Sequence, residues 1–278
     1  VARGLRSARP PGRGRNRSVD MELNFLIKKR RFVKSESGCP RRLPLRTISA
    51  MLPPMPNFLL LSDVFCPWCY GFGRVMRRLV AEHPGWPVRV LCGGLMDEPS
   101  TLADLAEESP HIRDFFVRLA DTTGQSVGQA FLDKLDPARG RLIRLYSPAV
   151  AAPLAALKRL DPGRALEHME AFQAAFYGRG QDVLNPDVRR ELAVGLGADP
   201  VAFSAALAAP DLPERVQAEM DEAAAIMGEF ALYPTLYLED GASRRLLAPG
   251  SAPYEQVAAN PAHAASAPAL GPASTLDG

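Results

Sequence analysis

A chain of 278 residues, 47% apolar and 23% charged, has material for one large domain or two small ones around an ordinary hydrophobic core. The net charge of +2 conceals a split: residues 1–50 hold 14 Lys/Arg against 3 Asp/Glu, and the remainder holds 19 against 28. The acidic body argues against nucleic acid and against a membrane surface as partners, and no apolar run approaches the roughly 18–20 residues that cross a bilayer. Four cysteines are too few for a disulfide-stapled scaffold of this length. The apolar stretch Leu52–Leu61 is broken by Pro53, Pro54 and Pro56 and does not read as a secretory signal, so a cytoplasmic location is expected.

Residues 1–55 are rich in Arg, Pro, Gly and Ser, with short apolar islands such as Leu23–Ile27. Such a segment buries too little surface to offset the entropy of ordering it, so it reads as a disordered basic arm. It begins with Val, and Met21, Met51 and Met55 lie downstream, so it is read as an upstream extension that is not part of the functional domain. An Arg-rich transit peptide is the rival reading.

Order is expected from Asn57 onward. Phe58-Leu59-Leu60-Leu61 is a continuous apolar run that suits a strand covered on both faces. After Ser62-Asp63-Val64-Phe65 comes Cys66-Pro67-Trp68-Cys69, and from Gly71 to Ala81 Phe72, Val75, Met76, Leu79 and Val80 recur at helical spacing. His83-Pro84-Gly85 ends that helix, and Val88–Leu91 alternates like a second strand. The first forty ordered residues therefore read as a βαβ crossover with the CxxC at its first strand-to-helix junction.

The next hundred residues read as helical. Ala165, Met169, Phe172 and Phe176 form one apolar stripe, and residues 186–195 and 200–208 give two further short helices. Asp211 and Glu214 suggest a capping box for a helix that runs to Met227 and stops at Gly228. Strand signals return at Pro234–Leu238, turn at Asp240-Gly241, and continue over Arg244–Ala248 as a hairpin. One helical turn is expected over Pro253–Ala258, before a disordered Ala/Pro/Ser tail from 261 to 278.

The chemistry sits in the CxxC. At the N-cap or first turn of a helix, free backbone N–H groups and the positive end of the macrodipole favour a thiolate at Cys66, and the thiolate is the form that attacks disulfides. Pro67 suits the first helical position, where its missing N–H costs nothing. Cys69, one turn further in, would resolve a mixed disulfide between Cys66 and a substrate. A zinc site is the alternative, but Cys39, Cys92, His83 and His111 match no ligand spacing, so no metal is expected. Cys92 reads as a small buried hydrophobe ending the second strand, and His83 as a helix-end residue.

Phe65-Cys66-Pro67-Trp68-Cys69-Tyr70-Gly71-Phe72 resembles the active site of the DsbA-like branch of the thioredoxin superfamily. It is most similar to the cytosolic FrnE-like members described as protein-disulfide isomerases. The resemblance extends to Gly93-Gly94-Leu95, to Leu145–Ala149, to Ala175-Phe176-Tyr177 with Gly180 and Asp182, and to Leu232–Leu236, so it spans Asn57 to Tyr254. It implies an α/β thioredoxin-like fold interrupted by an all-helical insertion. The boundaries expected are residues 56–96 for the first part of the fold, 97–229 for the insertion and 230–260 for the second part. It also implies that Pro234 is a cis-proline facing the CxxC and that the backbone of Tyr233 pairs with the incoming chain. Pro67 and Trp68 would then join Tyr233 and Pro234 in substrate binding.

Trp68 would cap the thiol and shape access, with a surface-packed aromatic as the alternative. Asp63 is either a buried proton acceptor for Cys69 or an exposed turn acid. Three departures from the family stand out: prolines shorten the C-terminal helix, Tyr233 replaces the usual Phe, Val or Thr, and the arm has no counterpart.

The expected function is a thiol–disulfide oxidoreductase of reductase or isomerase type. It would need no cofactor beyond its own redox-active disulfide, with glutathione or another thiol reductant as cosubstrate and protein or low-molecular-weight disulfides as partners. A glutathione-dependent isomerase or kappa-type transferase shares the split fold, but the intact cysteine pair counts against it. A non-catalytic metal- or partner-binding module would hold stoichiometric zinc instead. Nucleic-acid binding would depend on residues 1–50 alone.

Overall fold

Phe58 to Leu61 lie in the middle of a four-stranded sheet, and their side chains alternate into two separate cores. The computed structural model describes residues 55–229 and 232–260. Nearly all of the basic arm, Cys39 and the 261–278 tail lie outside the described residues.

Strand β1 (Asn57–Ser62) pairs parallel with β2 (Val88–Cys92), and helix α1 (Pro67–Glu82) makes the crossover between them. On its other side β1 pairs antiparallel with β5 (Thr235–Asp240), which forms a hairpin with β6 (Ser243–Pro249). The sheet order is β2-β1-β5-β6. Phe58 and Leu60 enter the larger core under α1 and the intervening helices. Leu59 and Leu61 enter a smaller one with Leu91 and Ala223. Burial on both faces is why the strand carries no polar alternation.

Between β2 and β5 the chain is helical apart from a two-residue ladder of β3 (Ser100–Thr101) and β4 (Arg144–Leu145). Its helices are α2 (Leu102–Glu108), α3 (Ile112–Thr123), the short α4 (Gln129–Leu132) and α5 (Pro137–Gly140), then α6 (Ser147–Leu160) and α7 (Ala165–Gln173). α8 (Pro186–Gly195), α9 (Pro200–Leu207) and α10 (Leu212–Met227) follow. After the hairpin comes α11 (Tyr254–Ala258). Its Tyr254 ring lies 3.5 Å beneath the Arg78 guanidinium, and its hydroxyl donates to Glu82, which ties this last turn onto α1.

Two local expectations are corrected. Asp211 does not cap α10: its backbone is already helical, at φ −83° and ψ −7°, and its carboxylate takes Arg159 at 2.8 Å. The ion pair with α6 displaces the capping-box geometry. The stripe of Ala165, Met169, Phe172 and Phe176 is not one regular helix either, because α7 gives way to a π-turn over Ala174–Gly178. That turn docks against Gly128, whose N–H donates to Tyr177 O at 2.9 Å. A Cβ on Gly128 would fall 1.9 Å from Gly178 O, so this close approach requires glycine.

Candidate active site

Cys66 is the N-cap of α1, in extended backbone at φ −87° and ψ 112°, and Pro67 takes the first helical position. The Cys66 Sγ accepts the Cys69 N–H at 3.2 Å, doing with sulfur what a serine or aspartate oxygen does at other caps. Cys69 follows one turn on, and the two residues approach to 2.9 Å. Both are free thiols and nearly enclosed, 2% and 4% exposed.

Across from the helix start, the Cys66 thiol lies 3.6 Å from the carbonyl oxygen of Tyr233, within reach of a weak S–H donor bond. The Tyr233–Pro234 peptide is cis. The Tyr233 ring packs with Leu59, Leu61, Leu91 and Ala223 on the smaller core, and its hydroxyl accepts the Gly94 N–H at 3.3 Å. Cys66, Cys69, Pro67, Trp68, Tyr233 and Pro234 are therefore brought together from two distant parts of the chain.

Asp63 is 1% exposed, so the exposed-acid alternative does not describe it. Its two carboxylate oxygens accept from Phe65 N at 2.9 Å and from Leu95 N at 3.0 Å, which joins the loop before Cys66 to the loop after β2. That second loop is pinned further on. Met96 N donates to Ser147 Oγ at 3.0 Å and Ser147 N donates to Met96 O at 2.8 Å, so the segments Gly93–Leu95 and Leu145–Ala149 meet at the head of α6.

Burial pushes the Cys66 thiol well above its ordinary value, and neighbouring Cys69 and the Asp63 charge push the same way. The Cys69 backbone N–H works against them by favouring the thiolate. Cys92 ends β2, is buried, and is likewise pushed up by burial. His83 caps the end of α1 and stacks on Trp86 with centroids 4.3 Å apart. His111 is exposed beside Asp114. Among the described residues no group of three or more His, Cys, Asp or Glu is placed to hold a metal ion.

Sequence reasoning missed three contributors. Gln173, buried on α7, donates from Nε2 to Asp63 O at 3.2 Å. Its signal was a polar residue inside an apolar stripe. Tyr177, on the π-turn, stacks on Tyr70 with centroids 4.9 Å apart. Burial first, then the nearby Cys66, Cys69 and Asp63, hold its hydroxyl well above 10. Phe115 on α3 meets Trp68 edge-on at 5.9 Å. Phe115 carried no signal that set it apart from core packing, and Tyr177 was marked only as part of the Ala175–Tyr177 resemblance, with no role attached.

No family model matches the chain, and no curated protein sequence does. Among solved structures it is similar to cytosolic disulfide reductase DsbM from Pseudomonas aeruginosa, at 27% identity and TM-score 0.57, over 69% of this chain and 89% of that one. A DsbM structure with GSH matches over the same shares at 27% identity and TM-score 0.56. A "putative protein disulfide isomerase" from Nitrosomonas europaea gives 24% identity and TM-score 0.62, over 74% of this chain and 95% of that one. The fold-bearing segments, the chain order of strands and helices, and these likenesses agree: the chain has the DsbA-like form of the thioredoxin fold.

Proposed function

We propose that this chain is a thiol–disulfide oxidoreductase that works as a disulfide reductase through Cys66 and Cys69. The observation that carries the reading is the placement of the Cys66 sulfur. It caps a helix whose next turn supplies Cys69, and it faces the backbone carbonyl of Tyr233.

The Cys66 thiolate attacks one sulfur of a substrate disulfide. That S–S bond breaks, a Cys66–substrate disulfide forms, and the departing substrate sulfur takes a proton. Cys69 gives up its proton and attacks Cys66 Sγ, which releases the second substrate thiol and leaves a Cys66–Cys69 disulfide. Two electrons have passed to the substrate, and two equivalents of a thiol such as glutathione return the pair to the dithiol while becoming a disulfide themselves. Asp63, buried in the loop that leads into Cys66, is the candidate acceptor for the Cys69 proton. The Tyr233 carbonyl, next to the Pro234 ring, offers a substrate backbone its first strand-like hydrogen bond.

The direction follows from what stabilises the reduced form. A strongly oxidising pair owes its potential to a stabilised thiolate. Here burial, Cys69 and Asp63 all hold Cys66 as a thiol, which favours a reductant. DsbM, described as a cytosolic disulfide reductase, supports the same direction, and a reducing compartment such as the cytoplasm suits it. Among the described residues no helix is long and apolar enough to cross a membrane.

Insulin reduction by the full chain with glutathione tests this. Turnover is expected, Cys66→Ser abolishes it, and Cys69→Ser stops at a mixed disulfide visible by mass. In glutathione buffers the potential is expected nearer the roughly −270 mV of thioredoxin than the roughly −120 mV of DsbA. Absence of turnover together with no reversible Cys66–Cys69 disulfide would remove the reading.

A further inference from the structure

Three aromatic residues of the active-site segment each touch a ring from the helical region between β2 and β5. Phe65 meets Phe176 at 5.2 Å, Tyr70 meets Tyr177 at 4.9 Å, and Trp68 meets Phe115 at 5.9 Å. The first two contacts are closed within the core. The third differs, because both Trp68 and Phe115 are only partly buried.

Their rings stand at 85° to one another and form two walls of an apolar corner. The corner is held from behind: Phe115 lies edge-on to Phe116 at 5.3 Å, and Phe116, 2% exposed, lies edge-on to Phe131 at 4.8 Å. A wall fixed by packing loses little rotamer freedom when a ligand covers it, and exposed aromatics on a rigid base are the residues that carry binding energy at protein surfaces.

Position along the chain says what meets this corner. Trp68 follows Cys66 by two residues, so a substrate sulfur bonded to Cys66 brings its flanking residues beside the indole. An apolar side chain there removes the remaining accessible surface of two aromatic rings from water, whereas the charged ends of a small disulfide such as glutathione disulfide gain nothing from them.

We infer that Phe115 is a specificity-determining residue: with Trp68 it receives an apolar side chain next to the substrate's cysteine, so the preferred substrates are polypeptide disulfides flanked by residues such as Leu or Phe. This rests on the oxidoreductase reading of Cys66 and Cys69 and names its substrate class.

The test uses the pre-reduced full chain in single turnover, so that no external reductant enters. Two peptides carry the same disulfide, one flanked by Leu and the other by Ser, and glutathione disulfide is the third substrate. The second-order rate of thiol release is expected to be about tenfold higher for the Leu peptide than for the Ser peptide. In Phe115→Ser that ratio falls to about one, and in Phe115→Leu most of it returns. Circular dichroism and the urea midpoint of each variant check that the fold is kept. A ratio near one in the unmodified chain, or a ratio that Phe115→Ser leaves unchanged, overturns the inference while the reductase reading stands. Glutathione disulfide reacting faster than both peptides also overturns it. No thiol release from any of the three, with no Cys66–Cys69 disulfide formed, removes the oxidoreductase reading and this inference with it.

Discussion

The ring of Tyr233 fills the space that a side chain at Gly93 would need. A Cβ on Gly93 would lie 2.3 Å from the Tyr233 ring carbons, and the Tyr233 hydroxyl is held by the N–H of the next residue, Gly94. The residue whose carbonyl faces Cys66 is thus anchored through its own side chain to the end of β2. Gly93→Ala is expected to displace the ring, cost roughly 1–3 kcal/mol in stability, and lower the rate of disulfide exchange at Cys66. In a Tyr233→Val background the same change has room, so most of the stability penalty disappears. A double-mutant cycle by urea unfolding measures this coupling, and additive penalties would show that the two residues do not share the space.

Cys66 reactivity is expected to run late in pH. Burial, Cys69 and Asp63 all raise its thiol above the ordinary range, so at pH 7 its thiolate fraction lies below that of a free cysteine. Alkylation of Cys66 by iodoacetamide, followed by peptide mass in the Cys69→Ser, Cys92→Ser background, should be slower than that of a free thiol at pH 7, because burial and the Asp63 charge remain, and should climb through the alkaline range. The same shift means that the folded chain holds this proton more tightly than the unfolded one. Its contribution to stability is present below about pH 8.5 and declines as the pH rises above it. Asp63→Asn removes one of the groups that oppose the thiolate, so alkylation at pH 7 accelerates. An amide offers only one acceptor oxygen to the two N–H groups of Phe65 and Leu95, so the variant also loses about 1–3 kcal/mol.

The parts of this site that were legible in the sequence are those with a local cause. The apolar run Phe58–Leu61, the Cys66-Pro67 helix start and the Asp240-Gly241 turn each follow from residues adjacent in the chain, and each element lies where its local pattern predicts. The Tyr233 carbonyl could be placed opposite Cys66 only by resemblance, since 167 residues separate the two. Asp211 shows how a local signal fails: the capping pattern was present, but Arg159 on another helix offered its carboxylate a charged partner. The π-turn that carries Tyr177 depends on contact between Gly128 and Gly178, and the Trp68–Phe115 corner depends on how α3 lies over α1. Neither relation leaves a trace in periodicity, because a ring that packs on a nucleophile's neighbour repeats at the same helical spacing as any core ring.

The edge of β2 carries the next prediction. Lys158 on α6 donates to Val90 O at 3.2 Å and pairs with Glu219 on α10, while Glu219 accepts the Cys92 N–H at 2.7 Å. The two side chains, 16% and 18% exposed, occupy backbone groups that a further strand would otherwise take. Glu219→Ala strands the ammonium and the Cys92 N–H together and is expected to cost about 2–4 kcal/mol. Replacing both partners by Lys158→Met and Glu219→Leu removes the buried charge and should cost less than the single change. Urea midpoints of the three proteins decide this, and a double variant less stable than Glu219→Ala would count against the account.

A last prediction concerns His168, inside α7 and 2% exposed. Its Nδ1 has no hydrogen-bond partner. Burial is the first cause that lowers its pKa. The charges of Arg164 and Lys158 add to the shift, while Asp161 and Glu167 oppose it. An unfolded histidine takes up its proton near pH 6.5. The folded one does so at lower pH, so the unfolded chain binds the proton first as the solution is acidified. The stability this group contributes is therefore complete above about pH 6.5 and is lost as the pH falls through the folded value. Between pH 7.5 and 5.5 the His168→Leu variant should lose less stability than the unmodified chain. At pH 7.5 it should be close to neutral, because the orphaned nitrogen goes with the ring. Urea unfolding at the two pH values measures the difference, and equal losses in both proteins would show that His168 does not carry the acid sensitivity.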